Sequence, residues 1–234
     1  MQKNKRFITM SIIMLLMFSG LGILLYPNIS SWWNATLHAS TIAQFQQDVE
    51  EMPTPVIYDH FRRANELNAE LALLPPDYEL LLGTDLASIP ADYNNILYVY
   101  GTLGRLEIPV VDVDLPIFHS TCYSVLENGV GHLEGTSLPV GGPGTHSVLT
   151  AHAGRANSRL FTDLEGNLGI GDRFYITVLD RRLIYEVAEV LIIEPWEIEP
   201  LRIIPGEDIV TLLTCTPVTV NTHRLLFRGV RVDE

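Results

Sequence analysis

The amino-acid sequence predicts a mainly β protein, an all-β barrel or sandwich preceded by helices and by an apolar N-terminal segment. Residues 105–234 are dominated by short runs rich in Val, Ile, Leu, Phe and Tyr. Turn clusters such as Gly-Gly-Pro-Gly at 141–144 divide these runs, which is typical of strands. Only one brief helical candidate, residues 158–164, interrupts them, so we expect many short strands to close into a barrel or sandwich.

Length and composition limit the class of protein. A chain of 234 residues that is 47% hydrophobic can bury one sizeable core. The formal net charge of -13 argues against nucleic acid as a partner, because a phosphate backbone needs Lys and Arg to line it. The 2 cysteines allow at most one disulfide, which a domain of this size does not need, so each thiol is judged by its context.

The N-terminal segment, residues 1–35, predicts a cytoplasmic tip and a transmembrane signal-anchor. An uncharged apolar run at 7–26 spans roughly 30 Å as a helix, the thickness of one bilayer core. Lys3, Lys5 and Arg6 precede this run, which keeps the N-terminus in the cytoplasm and places the rest outside the cell membrane. A cleaved signal peptide is the alternative, with a weak small-residue cleavage site at 37–40. The length of the run favours the uncleaved anchor.

Residues 36–104 predict a helical segment followed by a lid-like loop. Helical periodicity extends over 41–74, and Pro53 and Pro55 divide it into two helices. Residues 75–104 show little periodicity and predict a long loop with one short helix around 92–98. A loop of this length is uncommon in a compact domain unless it is functional or disordered. A lid and a plain connector both remain open.

Residues 105–234 carry the strand signals and the candidate chemistry. The predicted strands are 106–113, 115–118, 147–151, 173–178, 183–193, 209–215 and 225–232.

The stretch 211–229 places a thiol at the end of one strand and a guanidinium at the start of the next. Cys215 ends an apolar run, a polar link follows, and Arg224 begins a second run. Opposed strand ends lie close together, so both side chains can address one substrate carbonyl. The alternatives are a small buried thiol for Cys215 and a surface charge for Arg224, whose face Arg228 shares. Cys122 lies in a loop-like stretch with no such arginine nearby and is interpreted as an incidental thiol.

A nucleophilic thiol also needs a proton partner, which must come from the 7 histidines. His152 closes the apolar run V-L-T-A-H and is followed by a loop, a position equivalent to that of Cys215. His223 directly precedes Arg224, and neighbouring strand residues point to opposite faces, so both cannot readily serve one site. The remaining candidates are His119, His132 and His146. No metal-spaced motif and no phosphate-binding glycine loop occurs, which predicts neither metal nor cofactor chemistry.

These residues resemble a known family. T-L-L-T-C-T-P followed by N-T-H-R-L-L-F-R-G is similar to the signature of the sortases, the membrane-anchored cysteine transpeptidases of Gram-positive bacteria. G-V-G-H-L-E-G-T-S-L-P-V-G-G at 129–142 and H-S-V-L-T-A-H at 146–152 resemble the pilus-assembling class C branch. L-E-I-P at 106–109 and L-P-I-F-H at 115–119 are similar to its first strands. The resemblance covers about residues 55–233.

The resemblance implies an eight-stranded β-barrel at 105–234 with a catalytic trio of His152, Cys215 and Arg224. The Cys215 thiolate would attack the Thr-Gly carbonyl of an LPXTG-like sorting signal, Arg224 would hold the oxyanion, and His152 would protonate the leaving amine. A lysine amine of the next pilin would then resolve the thioacyl enzyme. The alternatives are a housekeeping-type sortase that anchors proteins to peptidoglycan and a non-catalytic, membrane-tethered β-domain that binds partners.

Three departures from the class C pattern matter. The branch commonly carries an Asp-Pro-aromatic lid motif, whereas this chain has Pro76-Asp77-Tyr78, so Asp77 and Tyr78 are the lid candidates. The branch usually ends in a second hydrophobic segment, whereas this sequence stops just after the last strand. We therefore expect either an N-terminal anchor alone or a truncated chain. Ala151 stands where glycine is common and narrows the space beside His152.

Overall fold

Eight β-strands form a closed barrel in the computed structural model, which describes residues 2–73, 92–155 and 158–233. The strands are β1 Gly104–Ile108, β2 Val113–His119, β3 Val130–His132, β4 Thr145–Thr150, β5 Arg173–Val178, β6 Arg181–Ile193, β7 Asp208–Thr216 and β8 His223–Arg231. Their order around the barrel is β1-β2-β3-β4-β7-β8-β6-β5. The β2–β3 and β4–β7 pairs are parallel, and the other neighbours are antiparallel. The barrel, rather than a sandwich, confirms the architecture that the family resemblance implied.

The predicted strand 106–113 is interrupted in the structure. β1 ends at Ile108, and a 3-10 turn over Pro109–Val111 leads to Asp112, whose φ of 53° is left-handed. Proline has no N–H for a ladder hydrogen bond, so the run turns back at this point instead of continuing. The result is a β1–β2 hairpin in which Ile108 pairs with Val113.

Two short elements were missed, and one predicted element is wrong. The helix α3, Tyr123–Asn128, and the strand β3 are too short to show a period of their own. The helical candidate 158–164 forms a coil that leads into consecutive turns over 160–167 rather than a helix. These turns contact the loop after β4 and the chain that leaves β7.

Two helices precede the barrel, as the prolines predicted. They are α1, Gln2–Glu51, and α2, Thr54–Leu73. The break between them falls at Met52, since a residue before proline is driven away from the helical region. The short helix expected around 92–98 is a 3-10 turn, Tyr93–Asn95.

The last turns of α1 and one face of α2 cover the barrel core. Both helices contribute buried side chains at three- and four-residue steps to the cluster that the strands form. These side chains are Phe45, Val49, Phe61, Ala64 and Leu67. The helices are therefore part of the folded domain and do not merely connect it to the N-terminal segment.

The N-terminal half of α1 is apolar and exposed. Within the described residues, it is the one helix that is long and apolar enough to cross a membrane, judged by length and composition. Its large apolar side chains between Phe7 and Tyr26 lie open on the surface, without partners that would bury them as a soluble core helix is buried. The segment is thus a membrane-span candidate.

A second, smaller apolar cluster lies outside the barrel. It comprises Val148, Ile193, Leu201 and Leu226. On β8, Leu225 and Phe227 belong to the interior cluster, so Leu226 between them points outward. The segment between β6 and β7 contributes Leu201 and covers part of this outer face. The outer face of the β4, β7, β8 and β6 strands therefore carries an apolar floor.

Two histidines are buried in the uncharged form. His132 Nδ1 accepts from the Tyr93 hydroxyl at 2.6 Å, and its Nε2 donates to the Ser137 carbonyl at 2.8 Å. His146 Nε2 accepts from the Thr211 hydroxyl at 2.7 Å, while its Nδ1 donates to a backbone carbonyl at 2.7 Å. Burial lowers the pKa of each imidazole from 6.5 to about 4.

Stability is therefore expected to fall on acidification. Between the unfolded pKa of 6.5 and the folded pKa of about 4, the unfolded chain binds more protons than the folded chain. The free energy of unfolding should be level above this window and decrease through it, by at most about 3 kcal/mol for each histidine. Urea unfolding at several pH values measures this slope. His132→Gln and His146→Gln should each be less stable at pH 7 yet show a shallower slope, and an unchanged slope in the double variant would contradict the assignment.

Candidate functional site

Cys215 and Arg224 are direct partners across the β7–β8 pair. Cys215 is the residue before the last one of β7, and Arg224 is the second residue of β8. Directly opposed residues in a sheet point to the same face, with their Cβ atoms about 4.5–5.5 Å apart. The thiol and the guanidinium thus lie side by side at one end of the barrel.

His152 continues the same row on the other side of Cys215. The parallel β4–β7 register pairs Thr150 with Leu213, so two further steps along both chains place His152 level with Cys215. A hydrogen bond of 2.9 Å from the Thr214 hydroxyl to the carbonyl of the residue before His152 holds the two chains together beyond the end of β4. The three predicted residues therefore occupy one row across three neighbouring strands.

This row faces outward from the barrel. Leu225 points into the core, so its neighbour Arg224 and the opposed Cys215 point to the outer face, next to the apolar floor around Leu226. Arg228, four residues further along β8, shares this face as the sequence predicted. The floor residues are themselves buried, so they support the strands from below, while Cys215 and Arg224 in the row are only partly buried and can be reached by a peptide carbonyl.

Cys215 is partly buried and unpaired in a disulfide. A fully buried thiol, the alternative drawn from the sequence, does not fit this exposure. Cys122 is the more exposed thiol and forms the N-cap of α3. Its pKa is lowered by a hydrogen bond to the Ser124 hydroxyl, 3.3 Å away, so Cys122 will compete for thiol reagents.

His152 is half-buried and leaves one ring nitrogen uncommitted. Its Nε2 is shielded from solvent and has no hydrogen-bond partner in the described part of the chain. Burial lowers the pKa of the imidazole, Arg155 lowers it further, and Glu127 opposes both effects. A neutral imidazole with a free Nε2 can accept a proton from a thiol and return it to an amine.

Arg224 is half-buried and keeps most of its donors free. One guanidinium nitrogen donates to the His223 carbonyl at 3.2 Å, and no described carboxylate lies within ion-pair distance of it. Arg228 on the same face is committed instead, to the Glu189 carboxylate and to the Pro200 carbonyl. Arg224 therefore presents a planar fork of donors to the outer face, as an oxyanion requires.

Glu165 braces the chain directly after Cys215. Its Oε1 accepts from the Thr216 hydroxyl at 2.8 Å, and its Oε2 accepts from the Val218 N–H at 3.2 Å. Thr216 is buried, so this hydroxyl has no access to water as a substitute partner. One carboxylate thus fixes the exit from β7, and with it the position of the thiol.

The same turn segment holds the loop that carries His152. The Phe161 N–H donates to the His152 carbonyl at 3.1 Å, and the Thr162 hydroxyl accepts from the Gly154 N–H at 2.9 Å. Glu165 lies in the next turn. No local pattern in the sequence indicates these roles, because the Glu165 contacts join residues that are far apart in the chain.

Substitution of Glu165 is expected to weaken catalysis because the thiol of Cys215 would be held less firmly in place. Glu165→Gln keeps the size but replaces one charged acceptor by a donor, so one of the two hydrogen bonds is lost. A loss of about 1–1.5 kcal/mol corresponds to a decrease of roughly 10-fold in kcat/KM for cleavage of a substrate peptide. Asp163→Asn, which lies half-buried on the same segment and is paired with the exposed Arg159, is the matched control and should stay near the parent rate. Cleavage by Glu165→Gln at the parent rate, with thermal unfolding unchanged, would contradict the role.

None of the other candidate histidines belongs to this row. His132 and His146 are buried and have both ring nitrogens bonded, and His119 is buried with Nε2 donating to the Ile96 carbonyl at 2.8 Å. His223 accepts from the neighbouring Thr222 hydroxyl and lies 3.6 Å from Glu194.

Two further predictions concern the lid and metal chemistry. The lid candidates Asp77 and Tyr78 lie outside the described residues. No cluster of three or more His, Cys, Asp or Glu suited to a metal occurs in the ranges that the structure describes.

Comparison with known proteins gives one family. The family model for the sortase domain matches residues 106–232. Streptococcus agalactiae sortase C1 is 39% identical, with 84% of this chain and 98% of that chain covered at a TM-score of 0.76. Streptococcus pneumoniae sortase C is 41% identical, with 83% and 97% covered at a TM-score of 0.74. Sortase A of Streptococcus agalactiae serotype III is 27% identical over 117 residues, which are 49% of this chain and 47% of that protein. The chain thus spans about half the length of this curated relative.

Proposed function

The chain belongs to the sortase family and, within it, to the class C branch, and we propose that it joins pilin subunits through a Cys215 thioacyl intermediate. Sortases are cysteine transpeptidases that act on sorting signals of surface proteins and on amine acceptors. The observation that carries the proposal is the single row of His152, Cys215 and Arg224 on the outer face of the barrel. No cofactor is needed for this chemistry.

The first half-reaction cleaves an LPXTG-like sorting signal. His152 takes the thiol proton, and the Cys215 sulfur attacks the threonine carbonyl carbon of the Thr-Gly bond. Arg224 holds the oxyanion that forms. Collapse of the tetrahedral intermediate breaks the C–N bond, His152 returns the proton to the leaving amine, and a thioester remains on Cys215.

The second half-reaction transfers the acyl group. A lysine amine of the next pilin attacks the thioester carbonyl, a C–N bond forms, and the C–S bond breaks. The half-buried position of Cys215 limits the access of water, which would otherwise hydrolyse the thioester. The product is an isopeptide bond between subunits.

The proposed location is the outer face of a cell membrane. The exposed apolar half of α1 supports a single span, and the basic residues before it support a cytoplasmic N-terminus. In this arrangement residues 1–35 form the tip and anchor, residues 36–104 the helical segment with a lid, and residues 105–234 the catalytic barrel outside the cell.

Incubation of the detergent-solubilised chain with a pilin tests the function. A pilin that carries a sorting signal should form a ladder of covalent multimers, and replacement of its acceptor lysine by arginine should leave cleavage without the ladder. Attachment to a peptidoglycan stem peptide in place of multimers would favour the housekeeping alternative. An absence of both products and of a thioester would favour the non-catalytic binding domain.

We also propose that Asp77 and Tyr78 belong to a lid over Cys215. An aromatic cap has to leave before a peptide enters, so Tyr78→Ala should increase peptide cleavage and thiol labelling several-fold. The labelling needs a Cys122→Ser background, because Cys122 is the more exposed thiol. Unchanged rates in both Tyr78→Ala and Asp77→Ala would exclude these two residues as the cap.

A further inference from the structure

We propose that Tyr123 and Glu127 on α3 form the subsite that receives the acceptor lysine as an alkylammonium ion, and that Arg155 occupies this subsite in the resting chain. The inference rests on the proposed transfer reaction and adds the residues that recognise its second substrate.

The position of α3 relative to the reactive row is the first observation. The β3–β4 register pairs Gly131 with Thr150, so two further steps place Gly129, the C-cap of α3, level with His152. Arg224 lies on the opposite side of Cys215. The helix α3 therefore flanks His152 on the side away from the guanidinium.

The direction of the reaction assigns the amine to this side. His152 is the group that protonates the leaving amine, and the acceptor amine enters by the reverse of the path along which the leaving amine departs. The acceptor must therefore approach Cys215 past His152. Tyr123 and Glu127 border that approach.

The chemistry of α3 suits a cation. The Arg155 guanidinium lies with two nitrogens 3.3 and 3.1 Å from Glu127 Oε1, and its central carbon is 5.6 Å from the centroid of the Tyr123 ring. Hydrogen bonding to the Glu127 carboxylate and its negative charge raise the pKa of the Tyr123 hydroxyl. A carboxylate beside an aromatic face is a site for an ammonium group, and here an internal cation already fills it.

Exchange of the internal cation for a lysine costs little. The Tyr123 side chain is exposed, and the Glu127 side chain is 36% exposed, so an incoming side chain reaches both. The Arg155 side chain is 23% exposed, and a lysine in the same place would form the same kind of ion pair with Glu127, so the exchange largely conserves this interaction. Glu127 and Arg155 also act on His152 in opposite directions, which places both charges within electrostatic reach of the imidazole.

The proton balance is complete with the groups present. The lysine ammonium displaces Arg155 and gives one proton to His152 Nε2, which has no described partner. The free amine attacks the thioester carbonyl, the C–N bond forms and the C–S bond breaks. The second nitrogen proton goes to the departing Cys215 sulfur, which leaves an amide, a thiol and an imidazolium.

Steady-state transfer to Nα-acetyl-lysine amide tests the subsite in the full chain. Glu127→Gln should raise the KM for this amine about 3- to 5-fold, and should change the single-turnover burst of peptide cleavage by a smaller factor. Arg155→Gln should lower the KM, because the internal competitor is gone. Tyr123→Leu should raise the KM, and Tyr123→Phe, which keeps the ring, should restore most of the affinity.

Two controls separate recognition from structure. Arg159→Gln removes a different arginine–carboxylate pair, with Asp163, and should leave the KM unchanged. Hydroxylamine, a neutral nucleophile at neutral pH, should be used equally well by the parent chain and by Glu127→Gln.

The deciding result is a KM for the amine that rises in Glu127→Gln and falls in Arg155→Gln, although the two residues form one ion pair. Shifts in the same direction, an unchanged KM, or an equal loss of cleavage and transfer in Glu127→Gln would overturn the subsite. A parent chain that never releases the C-terminal fragment of a sorting signal would instead overturn the proposed function, and these results are distinguishable.

Discussion

Replacement of Cys215 by alanine is expected to abolish both cleavage of a sorting-signal peptide and formation of covalent multimers, by at least about 10⁴-fold. The neighbouring hydroxyls cannot substitute as nucleophiles. Thr214 and Thr216 are buried, and their hydroxyls donate to the Ala151 carbonyl and to Glu165. Removal of the thiol therefore leaves the row without a nucleophile.

Single-turnover release of the C-terminal fragment measures this loss, and mass spectrometry of the quenched reaction detects the thioacyl enzyme. The matched control is Cys122→Ser, the other thiol of the chain, which should cleave at the parent rate. Equal thermal unfolding temperatures exclude a folding defect. A Cys215→Ala variant that forms the same multimers would eliminate the mechanism.

Arg224→Lys is expected to lower kcat/KM for peptide cleavage by roughly 10²–10³-fold. Lysine keeps the charge but loses the planar fork, so it cannot hold an oxyanion and a peptide carbonyl together. Arg224 lies directly opposite Cys215, and most of its N–H donors are free. The planar guanidinium group is therefore what we expect to hold the oxyanion.

Arg228→Lys provides the comparison within one strand and one face. Arg228 is already bonded to Glu189 and to the Pro200 carbonyl, so its substitution should change cleavage by less than about 3-fold. Because lysine keeps the charge, similar losses in both variants would mean that the two guanidinium groups serve the reaction alike, which would contradict a specific oxyanion role for Arg224. The acylation rate and the KM of the peptide, measured separately, distinguish these cases.

Local composition predicted where the strands lie in the sequence, but it did not predict which strands pair with each other in the barrel. The predicted strand 173–178 coincides with β5, and 209–215 lies within β7. The position of β7 between β4 and β8 depends on a parallel pairing between segments far apart in sequence, which no local pattern encodes. The interrupted run at Pro109 shows the converse, because a single missing N–H overrode a favourable β composition.

The same distinction holds for the candidate site. The strand–link–strand pattern of the sequence predicted that Cys215 and Arg224 lie close together. The β7–β8 register makes them direct partners. The residue pattern alone left several histidines open, the family resemblance singled out His152, and the β4–β7 register is what places it level with Cys215. Glu165 and Glu127 act through contacts between distant segments, so their importance appears only when the chain is folded.

The helix α1 joins the membrane-span candidate and the barrel without an intervening coil. It runs from Gln2 to Glu51, and its last turns bury Phe45 and Val49 in the barrel core. A flexible linker would let a catalytic domain explore a volume that grows with linker length. In the proposed topology, a continuous helix would instead hold the reactive row at a restricted height and tilt above the bilayer. In the proposed topology, polymer growth would then depend on lateral diffusion of membrane-held substrates to a fixed docking level.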